Sequence, residues 1–226
     1  MESISGIKKI SDLQEVSNYL RNGSLLLLDI DDTLITPDTD KRFIQECPNR
    51  EFREKFKGLV DRGYLKHHNN KFMSYCSRKY QWLVKRYNIQ IGLIDWKLIN
   101  NKSPKLIHKW QRKCTTIGFT ARGYETYHTT KNTLRKLKIN FGHTKLKRPM
   151  VMSNITCGRT GVGDEGVIFC GGYSKGLVLE WILEPKRLKG IKNIVFVDDS
   201  KSNLEDVQDT CKKLNINFVG LHYVRQ

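Results

Sequence analysis

The chain has 226 residues, 38% hydrophobic and 28% charged, which suits a soluble globular protein with one sizeable core, alone or with an inserted segment. Its longest largely apolar stretch, residues 24–30, is far below the ~20 residues a bilayer-spanning helix needs, and the polar, mixed-charge residues 1–22 do not read as a signal peptide, so a cytoplasmic location is expected. The net charge of +17 is uneven: residues 41–113 hold 19 Lys and Arg against 5 Asp and Glu, a field that attracts nucleic acid, anionic lipid or a phosphorylated partner, unless it is simply a solvated lysine-rich surface.

Residues 11–21 place Leu13, Val16 and Leu20 at helical spacing, with Ser11 as the expected cap and Asn22-Gly23 as the stop. Residues 25–30 are short and apolar but for Asp29, the pattern of a strand buried on both faces. Residues 41–60, 74–87 and 104–113 read as helices rich in charge and aromatics. Strand character returns at 115–120, followed by a helix over 124–137 and short strands at 149–153 and 167–170. A helix over 177–183, a strand over 193–197, a helix over 203–214 and a strand over 217–224 complete the chain. Outside the insert, strands alternate with helices, which predicts a doubly wound α/β fold with a parallel sheet. Its ligand site is then expected outside the carboxyl ends of the strands.

Several tempting motifs read more plainly. The six cysteines, Cys47, Cys76, Cys114, Cys157, Cys170 and Cys211, form no CxxC pair and are expected to be reduced packing thiols. His67-His68 has no third ligand at metal spacing and is expected in a solvated loop. Gly161-Val-Gly163-Asp-Glu-Gly166 fits GxGxxG, but it precedes a strand instead of following one, so it reads as a turn.

The strand ends carry chemistry. After the first strand stand Asp29, Asp31, Asp32 and Thr33; after 115–119, Thr120; after 167–170, Lys175 just before a helix; after 193–197, Asp198 and Asp199. A calcium loop at Asp29-x-Asp31-x-Thr33 would need a preceding helix, and a glycine where Leu34 stands. Singly, Thr120 could cap a helix, Lys175 could be a surface lysine and Asp198-Asp199 could cap the last helix. Together they suit phosphoryl transfer. Carboxylates from two strand ends can hold Mg2+, one carboxylate can attack phosphorus, another can move a proton, and a hydroxyl and a lysine can bind phosphoryl oxygens.

This ordered set resembles the haloacid dehalogenase (HAD) superfamily: an apolar run ending in DxDxT (Leu25 to Thr33), a strand ending in Thr120, Lys175 before a helix, and a strand ending in Asp198 and Asp199. The segments "TARG" and "GGYSKG" also resemble a poorly described bacterial subgroup of that superfamily. The resemblance implies a Rossmann-like core from residues 1–34 and 115–226, with a small, aromatic-rich helical cap at 35–114 that carries the basic excess. It implies Asp29 as nucleophile and Asp31 as general acid/base, an aspartate usual in phosphatases of this superfamily. Thr120, with Ala121 beside it, and Lys175 would bind the phosphoryl group. Mg2+ would be held by Asp29, Asp31 through its backbone carbonyl, Asp198 and Asp199. Asn203 stands where a further acid is common, and Asp32 is expected to be a bystander. The implied activity is a phosphate monoesterase working through an aspartyl-phosphate. The alternatives are a nucleic-acid end-processing or phosphotyrosine phosphatase recruited by the basic cap, and a non-catalytic basic binding module.

Overall fold

Four consecutive leucines, Leu25–Leu28, form the strand around which the chain is built, and all four are fully buried. Leu26 and Leu28 face one hydrophobic cluster and Leu25 and Leu27 the other, as the two-residue period of a strand requires. A strand with no polar side is stable only where helices cover both faces of its sheet. The computed structural model describes residues 6–38, 91–92, 94–142, 150–153, 160–163, 165–171, 173–183 and 190–225. The helices expected over 41–60 and 74–87, the aromatics between them, His67-His68, Cys47, Cys76 and Cys157 lie outside these residues.

In chain order the elements are β1 (Gly6–Ile10), a 3-10 turn at Leu13–Asn18, β2 (Leu25–Leu28), β3 (Ile35–Pro37), β4 (Trp96–Leu98), α1 (Ser103–Gln111), β5 (Thr115–Thr120), a 3-10 turn at Tyr124–Thr126 and α2 (Tyr127–Lys136). There follow β6 (Met150–Ser153), β7 (Thr160–Val162), β8 (Val167–Phe169), α3 (Lys175–Leu183), β9 (Asn193–Asp198), α4 (Lys201–Lys213) and β10 (Asn217–Tyr223). Among the described residues the main sheet has eight strands in the order β1-β10-β9-β2-β5-β8-β7-β6. The pairs from β1 to β8 are parallel, and β7 and β6 extend the sheet antiparallel. The expected α/β architecture is present, with α1, α2 and the first 3-10 turn contributing to the cluster on one face and α3 and α4 to the other.

The chain runs outward from β2 through β5 to β8, then returns to β9 on the opposite side of β2. The carboxyl ends of β2, β5 and β9 therefore meet where the winding reverses, the place an open parallel sheet offers to a ligand. The chain between β2 and β5 leaves through β3 and returns through β4, which pair antiparallel as a two-stranded stalk. Residues 103–111, within the stretch the sequence reading gives to the insert, form α1, and its Ile107 and Trp110 are buried in the same cluster as Leu26 and Leu28.

Three local expectations differ from the structure. The first helical segment is a single 3-10 turn capped by Asp12, not Ser11: the Asp12 carboxylate accepts from the Gln14 backbone N–H at 2.9 Å, and the Glu15 carboxylate accepts from the Asp12 N–H at 3.0 Å. The segment that fits GxGxxG is a turn only in part, because Gly161 lies in β7, and the turn is closed by the Gly166 N–H donating to the Gly163 carbonyl. The terminal strand β1 was not anticipated; its pattern of exposed lysines marks an edge strand, paired only with β10. The described cysteines, Cys114, Cys170 and Cys211, are free and buried, as packing thiols are expected to be. Among the described residues, no helix is long and apolar enough to cross a membrane.

Candidate active site

Asp29 follows β2 directly and is buried, its N–H donating to the Val197 carbonyl at 2.9 Å. β2 and β9 run in register, so Asp29 lies beside Asp198 at the end of β9. A buried lysine joins them. Lys175, the first residue of α3, is 2% exposed, and its Nζ donates to Asp29 Oδ1 at 2.5 Å and to Asp198 Oδ2 at 2.6 Å. Phe119 and Phe196 flank that ammonium with their ring centroids 5.6 and 5.2 Å away.

Close packing brings Lys175 inward. α3 crosses α4 at Gly176, where a Cβ would fall 2.5 Å from the Asp206 backbone oxygen, and the Gly176 N–H donates to the Asp206 carboxylate at 2.6 Å. Only a residue without a side chain permits this approach.

Asp198 has the densest set of partners. Besides Lys175, it accepts from the Ser200 N–H at 2.8 Å and from the Asn203 amide at 3.1 Å on each carboxylate oxygen. Asn203 thus supplies donors that an acid at that position would not. Asp199 is exposed, its N–H donating to Thr33 Oγ1 at 3.1 Å and its carbonyl contacting the His222 ring at 3.0 Å. Carboxylate oxygens of Asp29, Asp198 and Asp199 lie within 4.8 Å of one another.

Asp31 is arranged differently. It forms a two-pronged ion pair with Arg122, with Nε to Oδ2 at 2.9 Å and Nη2 to Oδ1 at 2.5 Å, and Thr120 Oγ1 also donates to Oδ2 at 3.3 Å. Ala121 is half-buried in the bend between Thr120 and Arg122. Asp32 adopts a left-handed backbone (φ 59°), which aspartate tolerates. Its carboxylate receives Arg225 Nη2 at 2.7 Å and Thr36 Oγ1 at 3.2 Å.

The electrostatics are unbalanced toward negative charge. Burial pushes the Asp29 carboxyl well above its ordinary value; Lys175 opposes this, while Asp198 and Asp31 add to it. Asp199 is pushed up to about 6 by desolvation, with Asp198 and Asp32 adding to the rise. Burial alone would lower the Lys175 ammonium, but the attraction of Asp29 and Asp198 more than reverses that and raises it above its ordinary value. One lysine does not neutralise this cluster, and a set of hard oxygen donors in that condition fits a divalent cation such as Mg2+.

The tertiary structure thus brings Asp29, Asp31, Thr120, Lys175, Asp198 and Asp199 together at one end of the sheet. Thr33, the last residue of the DxDxT motif, is there too, and Arg122 and His222 join them without having been singled out from sequence. Arg122 alone had a readable signal, a cation two residues beyond the strand end at Thr120.

A search of curated proteins finds no match. Three solved structures are similar to this chain at low identity. The HAD domain of the effector protein Lem4 from Legionella pneumophila is 14% identical, with 91% of this chain and 88% of that one covered and a TM-score of 0.46. An inactive mutant of the same domain is 13% identical, with 91% and 87% covered and a TM-score of 0.45. A HAD family enzyme from Bacteroides thetaiotaomicron is 14% identical, with 88% and 93% covered and a TM-score of 0.42. None of these similarities assigns a role to a residue of this chain. Residues 7–226 match a family model described as "Protein of unknown function (DUF2608)", and the chain belongs to that family.

Proposed function

We propose that this protein is a Mg2+-dependent phosphomonoesterase of the HAD type that works through an aspartyl-phosphate on Asp29. The observation that carries the reading is the buried Lys175 ammonium between Asp29 and Asp198, beside a third carboxylate from Asp199. A purely structural ion pair would be cheaper as apolar packing, and it would not gather three acids around one lysine at a sheet's ligand-binding end.

In this reading an Asp29 carboxylate oxygen attacks phosphorus, and the bond from phosphorus to the ester oxygen breaks. The departing oxygen takes a proton from Asp31. Asp31 then accepts a proton from water, whose oxygen attacks phosphorus. The bond to Asp29 breaks and inorganic phosphate leaves. Lys175 and Thr120, with Ala121 alongside, hold the equatorial phosphoryl oxygens as charge develops. Asp29, Asp199, Asp198 and the Asp31 carbonyl would hold Mg2+, which neutralises the repulsion between carboxylate and phosphate when bound. The segment between β3 and β4 acts as the cap that selects substrate. "TARG" as the mark of a bacterial subgroup belongs to the same reading.

The test is turnover of an aryl phosphate by purified protein with and without Mg2+, beside Asp29→Asn. Metal-dependent hydrolysis that the variant lacks supports the reading. Absence of turnover together with failure to trap a beryllofluoride adduct on Asp29 refutes it.

A second reading, the same chemistry on phosphorylated nucleic-acid ends, is favoured by the basic excess in 41–113, of which Lys105, Lys109, Arg112 and Lys113 are exposed on and just after α1. A steep fall in oligonucleotide binding with salt supports it. Equal turnover of a phosphotyrosine peptide at all salt concentrations counts against it. Salt-sensitive binding that survives Asp29→Asn, in a protein without turnover, would instead indicate a binding module.

A further inference from the structure

Arg122 is anchored on every side. Its side chain is 1% exposed. Nε and Nη2 grip the two Asp31 oxygens, Nη1 donates to Thr130 Oγ1 on α2 at 3.0 Å, and the guanidinium carbon lies 4.6 Å from the centroid of the Trp96 ring on β4. The Arg122 N–H donates to Thr120 Oγ1 at 3.1 Å, and its carbonyl accepts from Gly171 at 3.0 Å. The Asp31 side chain is 36% exposed, so the guanidinium lies on the protein side of the carboxylate and leaves an open side toward solvent.

We propose that Arg122 is the positioning residue of this site. It locks the plane and direction of the Asp31 carboxylate for proton transfer at the ester oxygen, and Trp96 ties that lock to the stalk from which the insert springs. This rests on the reading of Asp31 as acid/base given above. A guanidinium fork fixes both the distance and the plane of a carboxylate, which a point charge such as lysine does not. Each carboxylate oxygen has two lone pairs, so an Asp31 held from behind retains acceptor sites on its open side. Trp96 belongs to the returning strand of the stalk, paired with Pro37, and its indole N–H donates to the Ile91 carbonyl at 3.2 Å. Displacement of the stalk therefore moves the ring that bounds the guanidinium.

The test compares kcat/KM for a 4-nitrophenyl ester, whose leaving oxygen needs little protonation, with that for an alkyl phosphate, whose leaving oxygen needs a proton. Asp31→Asn is expected to lose about 10²- to 10⁴-fold on the alkyl ester and much less on the aryl ester. Arg122→Lys is expected to lose about tenfold or more on the alkyl ester, with the same selectivity, and to add nothing in the double variant Asp31→Asn/Arg122→Lys. If Asp31→Asn is selective while Arg122→Lys reduces both substrates equally, Arg122 is merely structural and the proposal falls. If Asp31→Asn itself is unselective, the acid/base reading falls and the proposal with it. Should Arg122→Lys not fold, Trp96→Leu replaces it: a selective loss on the alkyl ester supports the proposal, and an equal loss on both substrates overturns it.

Discussion

Two ion-paired clusters flank the end of β2, and they are built on opposite plans. On the β9 side, Lys175 is enclosed with Asp29 and Asp198, all three side chains at most 6% exposed. On the β5 side, Arg122 is equally enclosed, but its partner Asp31 is partly open. The first arrangement holds charge in a low-dielectric pocket where attraction is strong and an unmatched group is expensive. The second fixes a carboxylate while leaving it reachable. The proposed hydrolysis of a phosphoester needs both, a place where charge is balanced and a place where a proton enters and leaves.

The largest expected effect breaks the enclosed cluster at Asp29, the nucleophile of the proposed mechanism. Asp29→Asn should lower kcat for an aryl phosphate by at least about 10³-fold, with the fold intact by circular dichroism. Lys175→Met comes next. It leaves two buried carboxylates without their cation and should cost about 3–5 kcal/mol, read from the urea midpoint. Added Mg2+ should recover part of that loss if the folded cluster holds the ion as proposed. Gly176→Ala tests the packing that delivers Lys175. A methyl 2.5 Å from the Asp206 backbone oxygen should cost about 1–3 kcal/mol and lower activity as Lys175 shifts.

A smaller effect appears with pH. Asp29 and Asp199 are raised in the folded chain, Asp199 to about 6 from an ordinary 3.8, so the folded state holds protons that the unfolded chain releases. In chelator, their contribution is fully present below about pH 4 and is lost as pH rises through 6 and beyond, so Tm should fall over that window. Saturating Mg2+ should flatten the fall; an unchanged slope would mean that the cluster does not hold the ion. The smallest effect is at the open edge. Arg225→Ala breaks a pair to Asp32 whose side chains are 32% and 42% exposed, and should cost less than about 1 kcal/mol in a urea titration.

The enclosed cluster was more legible in the sequence than the open one, for a physical reason. Asp29, Lys175, Asp198 and Asp199 each directly adjoin a local pattern, a short apolar run or a helix start, and in a parallel sheet all such ends point the same way. Arg122 also follows a strand end, but its meaning depends on a partner 91 residues earlier and on a Trp96 ring delivered by the stalk. Asp32 looked dispensable because its partner, Arg225, is 193 residues away. β7 was obscured by its own glycine, since Gly161 reads locally as a turn while pairing with β8 makes it a strand.

Hydrophobic periodicity in the sequence therefore determined which segments became β2, β5 and β9, and chain order determined which acids, hydroxyl and lysine would stand at their ends. The tertiary structure alone decided that Lys175 would be buried between two carboxylates and Asp31 gripped from behind. Those arrangements depend on the α3–α4 approach at Gly176 and on the stalk's contact with Arg122, long-range packing that no local pattern encodes.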